Sequence, residues 1–171
     1  RVSDRDVAVT CVAAGLLHSL AVTSDGAVYS CGASSFNELG HGSQLHQAAW
    51  KRVDALADVR AVGAAAGGLH SVVWTADGQL FSFGRNDRGQ LGTQQRSFGS
   101  VAPVAVPARV VAAACGLAHT LILCDDGRVF ACGDNEMSQL GDGGALPLSK
   151  TAVPVPIAAP VRSVACGAYF S

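Results

Sequence analysis

Apolar residues in this chain come in short runs, not at helical spacing. The runs 18–23 and 27–31, 70–75 and 79–83, and 119–124 and 128–132 are rich in Val, Leu, Ile, Phe and Tyr, the composition that suits a half-buried pleated surface. Within each pair an Asp-Gly lies between the two runs: Asp25-Gly26, Asp77-Gly78 and Asp126-Gly127. That dipeptide is the strongest short-range hairpin signal and predicts a type I′ turn, with positive φ at both central residues. Leu121-Ile122-Leu123 is apolar at consecutive positions, which predicts burial on both faces of its strand. Further strands are expected ahead of the hairpins, over 7–12, 59–65, 109–114 and 161–165. Short extended pieces are expected behind them, at Lys51-Arg52-Val53, Pro103-Val104-Ala105 and Pro154-Val155-Pro156. These pieces read as outer edge strands, where a proline's missing N–H does least harm.

The hairpins belong to a longer repeated unit. Each copy opens on a glycine (Gly15, Gly67, Gly116), and a histidine follows three residues later (His18, His70, His119). The Asp-Gly pair comes next, then a second glycine (Gly32, Gly84, Gly133) and a closing Leu-Gly ending at Gly40, Gly92 and Gly141. A fourth copy starts at Gly167 and runs to Ser171. A repeat of about fifty residues built on hairpins reads as a propeller blade. The chain is therefore expected to be all-β, a single propeller segment with repeats over roughly 7–58, 59–108 and 109–160 and the start of a fourth over 161–171.

The series Gly-x-x-His-Ser/Thr, Asp-Gly, Gly and Gln-Leu-Gly resembles the regulator of chromosome condensation repeat. Gly84-Arg85-Asn86-Asp87-Arg88-Gly89-Gln90-Leu91-Gly92 matches best, and Gly133-Asp134-Asn135 through Gln139-Leu140-Gly141 follows. The first copy departs: Ser34 replaces the Asn, Asn37 the inner Gly and Glu38 the Gln. The resemblance covers essentially the whole chain. It implies four-stranded antiparallel blades forming an arc of a seven-bladed propeller, which closes at about 350 residues for this period. The chain is thus expected to be part of a larger propeller or to be completed by another chain in an assembly. The resemblance implies a non-enzymatic protein-interaction scaffold or, alternatively, a guanine-nucleotide exchange factor for a Ran-type small GTPase. The family's plant photoreceptor uses clustered tryptophans in a Gly-Trp-Arg-His motif, whereas Trp50 and Trp74 are the only tryptophans here.

Composition narrows the partner. Charged residues make up 15%, against about 25% in ordinary soluble domains. The net charge is −1 and no Lys/Arg-rich run exists, so nucleic-acid binding by this chain alone has no electrostatic basis. The longest apolar run, 110–124, is interrupted by Gly116 and His119 and is too short for a membrane helix. The six cysteines replace Ala, Phe or Thr at equivalent repeat positions. That reads as small buried packing in a reducing, intracellular compartment, cytoplasm or nucleus. The three histidines open equivalent strands, too far apart to share a metal, and are expected to hydrogen-bond adjacent backbone. Each Asp of an Asp-Gly reads as a turn residue. No catalytic constellation, cofactor motif or small-molecule site is found. The expected partner is a protein, a small GTPase or a member of a large complex, and loops that break the repeat are where it would bind. The candidates are Phe36, His46, Trp50, Arg85, Asp87, Arg88, Arg96, Phe98, Asp134, Glu136 and Met137.

Overall fold

The computed structural model describes residues 7–95, 99–144 and 146–171. Its strands are β1 (Val9–Ala14), β2 (His18–Thr23), β3 (Val28–Gly32), β4 (Gln47–Arg52), β5 (Ala61–Ala66) and β6 (His70–Thr75). They continue as β7 (Leu80–Gly84), β8 (Gly99–Val104), β9 (Val110–Cys115), β10 (His119–Cys124), β11 (Val129–Asp134) and β12 (Leu148–Val155). Three antiparallel four-stranded sheets result, ordered β1-β2-β3-β4, β5-β6-β7-β8 and β9-β10-β11-β12. Each is a propeller blade, laid down in chain order from the innermost strand to the perimeter. The second strands of the blades fall where the apolar runs place them. The innermost strands begin one or two residues later than expected, and the outer strands are longer than their predicted pieces.

Segment 161–165 is the exception among the expected strands. Among the described residues it pairs with no strand. Val161 N–H instead donates to Gly127 O at 2.9 Å, and Leu117 N–H to Ala168 O at 2.9 Å. The segment leans its Val161, Val164 and Cys166 on the third sheet.

The hairpins also differ from expectation. Gly26, Gly78 and Gly127 have φ of 88°, 86° and 80°, but the preceding aspartates do not share the left-handed region. Gly26 N–H donates to Thr23 O at 2.8 Å and Thr23 N–H to Ala27 O at 3.0 Å, a pattern repeated in the other two hairpins. These are three-residue loops ending on a left-handed glycine, not two-residue type I′ turns. The aspartate is held by other bonds. Asp25 Oδ1 accepts the Thr23 hydroxyl at 2.6 Å, and Asp77 accepts that of Thr75. Where Cys124 stands in place of the threonine, Asp126 accepts Arg128 N–H and Nε–H at 3.0 and 2.7 Å. Accepting these donors lowers the pKa of all three carboxyls.

Cores form between blades. Leu20, Val22, Val28 and Leu56 of the first blade meet Ala64, Val73 and Phe83 of the second. Val72, Leu80 and Val104 of the second meet Val110, Ile122 and Phe130 of the third. Leu121 and Leu123 point the other way, toward the 161–166 segment, so every residue of β10 is buried. All six cysteines are free thiols. Cys124 and Cys132 are buried and the others half-buried, and burial pushes the Cys132 thiol up to about 12.

Candidate functional site: the loop surface

The in-register histidines are joints between blades. Each ring bonds a hydroxyl on the next blade and not, as the sequence suggests, adjacent backbone. His18 Nε2 lies 2.9 Å from Ser71 Oγ, His70 Nε2 2.9 Å from Thr120 Oγ1, and His119 Nε2 3.1 Å from Ser171 Oγ. Those hydroxyls already donate to the carbonyls of Glu38, Gln90 and Gln139 at 2.7, 2.8 and 2.7 Å. A hydroxyl has one proton to give, so each histidine carries its proton on Nε2 and donates it. The rings are buried, and burial drives their pKa values down, that of His70 to about 3. A side chain on Gly15, Gly67 or Gly116 would collide with the ring three residues on and with a carbonyl of the next blade.

The same carbonyls belong to the loop joining the third and fourth strands of each blade, so the joint also anchors the loops. The inner position of the loop is left-handed: Asn37 at φ 63°, Gly89 at 82° and Ser138 at 58°. Asn86 Oδ1 and Asn135 Oδ1 accept the N–H of Leu91 and Leu140 at 3.0 and 3.1 Å. Gln90 Oε1 and Gln139 Oε1 accept those of Arg88 and Met137. In the first copy, Glu38 is wholly buried and accepts the N–H of Ser35 and Phe36. There Ser34 N–H donates to His46 Nδ1 at 2.9 Å, so His46 shapes the loop. Leu39, Leu91 and Leu140 plug the base.

Side chains left over by this scaffolding form a strip across three blades. The Phe36 ring lies under the Arg85 guanidinium at 5.2 Å, and Arg85 pairs with Asp87 at 2.5 Å. Arg88 reaches the third blade, 2.5 Å from Glu136 Oε1 and 3.7 Å from Asp134 Oδ1. These carboxylates raise its pKa further. Met137 is 72% exposed at the end of the strip. Beside it runs a groove of about 390 Å³ whose charged wall is Arg85, Arg88, Asp134 and Glu136 and whose apolar wall includes Leu16, Leu69, Leu117 and Tyr169. Trp50, 51% exposed, is elsewhere, on perimeter strand β4. Arg96 and Phe98 lie outside the described residues. The apolar wall is absent from the sequence-based candidates, although the variable positions of Gly-x-x-His carried its signal: leucines in a turn, Leu16 exposed and Leu69 and Leu117 half-buried.

The regulator of chromosome condensation (RCC1) repeat pattern matches residues 25–74, 77–123 and 126–171. The chain belongs to the RCC1-repeat family. The matched units begin at the hairpins, so each RCC1 sequence repeat joins the outer half of one blade to the inner half of the next. Human E3 ubiquitin-protein ligase HERC2 is 41% identical over 81 residues, which is 47% of this chain and 2% of HERC2. The crystal structure of human WBSCR16 superposes with a TM-score of 0.80 at 30% identity, covering 91% of this chain and 40% of that one. Prp20p from Saccharomyces cerevisiae also superposes at 0.80, at 21% identity, covering 88% of this chain and 39% of Prp20p. The RCC1-repeat chain described here thus spans about two fifths of the solved propellers it matches.

Proposed function

We propose that this RCC1-repeat segment is a non-enzymatic interaction scaffold, an arc of a larger propeller, that receives a protein partner on its loop surface. The carrying observation is the strip Phe36–Arg85–Asp87 and Arg88–Glu136–Asp134, drawn from three successive blades and set beside a partly apolar groove. Aromatic and arginine side chains next to apolar pockets are where binding energy concentrates. The ionisable groups of the strip are paired with one another, an arrangement suited to recognition more than to proton transfer. Solved relatives support protein partners for this fold: the Prp20p structure is described together with its binding to Gsp1p and histones.

The test is affinity capture from the source organism with the full chain, followed by calorimetry with each partner identified. Phe36→Ala and Arg88→Ala are expected to weaken binding about tenfold or more, as hot-spot truncations do, while Ser100→Ala on the perimeter leaves it unchanged. The Arg88–Glu136 pair is solvent-exposed and so contributes little to folding. A partner held equally by all variants would overturn the loop-surface reading. Acceleration of nucleotide release from a Ran-type GTPase by the same chain would replace the scaffold with an exchange factor.

A further inference from the structure

Each blade ends at the perimeter in an outer strand, β4, β8 or β12, whose far edge meets no strand of its own sheet. Such an edge invites pairing with another chain, and proteins usually guard it. Two of the three are guarded by proline. Pro103 in β8 sits opposite Phe81 and Pro154 in β12 opposite Phe130. Both prolines are exposed, and lacking an N–H they interrupt the outward row of donors.

In β4 the equivalent position, opposite Tyr29, is Arg52. Val53 N–H turns inward to Val28 O at 2.8 Å. By strand alternation, the N–H and C=O of Arg52 therefore turn outward. All of β4 after Gln47 is exposed. Arg52 lies on the Tyr29 side of the sheet and Lys51 on the opposite side, and Trp50, 51% exposed, stands next to them in the strand. Among the described residues neither Lys51 nor Arg52 has an ion-pair partner within 4.0 Å.

We propose that the outer edge of β4 docks an extended acidic segment of a partner protein as a fifth strand of the first blade. Backbone pairing supplies the frame. Acidic residues at adjacent positions of the added strand face Arg52 on one side and Lys51 on the other, and an apolar residue lies against Trp50. A second copy of β4 fits less well, since it brings the same positive charges to the same edge. The site is separate from the loop strip. Neighbouring blades flank the sheet and leave its perimeter edge open, so the docking edge persists in a closed ring.

The experiment uses a fluorescein-labelled extended peptide, Val and Thr alternating around a central Glu-Glu, titrated with the full chain and read by anisotropy. Saturable binding is expected. Arg52→Ala removes the charge but keeps the N–H, and weakens binding about two- to fivefold in a salt-dependent way. Arg52→Pro also removes the N–H, and is expected to weaken binding about a further tenfold. Proline is native at this position in the other two blades, so the variant keeps the fold, checked by circular dichroism. The same peptide N-methylated at alternate backbone amides should not bind. Equal affinities for Arg52→Ala and Arg52→Pro, undiminished binding of the N-methylated peptide, or no binding by the folded chain would each overturn the proposal. Self-association of the chain that Arg52→Pro abolishes would also overturn it, by assigning the edge to a second copy.

Discussion

His70 is the clearest case of one side chain linking stability to solution conditions. Its ring is fully buried, donates from Nε2 to Thr120, and has no partner for Nδ1 among the described residues. Burial holds its pKa near 3, against 6.5 for the unburied group. The unfolded chain therefore binds a proton at moderately acid pH that the native chain refuses. Stability contributed by the neutral ring is complete above about pH 6.5 and is lost as pH falls toward 3, with a limiting slope of about 1.4 kcal/mol per pH unit for this one group. His18 and His119 are shifted in the same direction by burial. Urea midpoints between pH 7 and 5, above the range where the lowered aspartates titrate, should fall steadily. A His70→Gln variant, which retains an N–H donor but cannot take the proton, should show a shallower fall. An identical slope would mean that the buried ring does not govern acid sensitivity.

The loop is the element where departures from the repeat have a physical cost. Ser138 is left-handed at φ 58° where Gly89 occupies the same turn at 82°, and a left-handed L-residue is strained by about 1–2 kcal/mol. Ser138→Gly should therefore gain about 1 kcal/mol in chemical denaturation, less the entropy that glycine adds to the unfolded chain. Gly89→Ala should lose about 2 kcal/mol, because its new Cβ would lie 2.5 Å from Ser149 O. A neutral Ser138→Gly would show that the loop relaxes its strain elsewhere. Much of this element was legible beforehand. The Leu-Gly closures follow from the repeat, and the hairpins and β2, β6 and β10 from the short apolar runs on either side of Asp-Gly. The handedness of the turns was not, because Asp-Gly suits both two- and three-residue loops, and all three hairpins adopt the latter whether Thr23, Thr75 or Cys124 opens them. The strip was legible as a set of residues, since Phe36, Arg85, Arg88 and Glu136 stand where the copies diverge. Its order was not, because Phe36–Arg85 and Arg88–Glu136 form across blades, some fifty residues apart. Trp50 and His46 stand apart from the strip. They are unusual residues in variable links, one on the perimeter and the other holding a loop.

Across the whole molecule, burial is lowest at the two ends of the described chain, β1 and residues 157–171, and highest in the second strands of the second and third blades. Val12, Tyr29 and Cys31 of the first blade hold the positions that Ala64, Phe81 and Phe83 hold in the second. The latter pack against the first blade, whereas Val12 is 72% exposed. β10, enclosed on both sides, is buried at every position. Hydrogen exchange should follow this gradient, with amides of β6 and β10 slowest and those of β1 faster by roughly two orders of magnitude. Uniform protection would mean that the arc opens only as a unit.

The imidazole–hydroxyl–carbonyl joint bears on how such a chain can grow. Each blade offers a ring on one side and a hydroxyl on the other, one a plug and the other a socket. A gene segment duplicated in tandem therefore arrives with both halves of its connector, and the new seam mates without further mutation. Phe170 fills against Gly167 the space that His18 fills against Gly15, yet a phenyl ring has no proton to share. The fourth copy keeps the socket, Ser171, and has lost the plug. A lineage that lengthened or shortened its ring could cut there without stranding a hydrogen-bond donor.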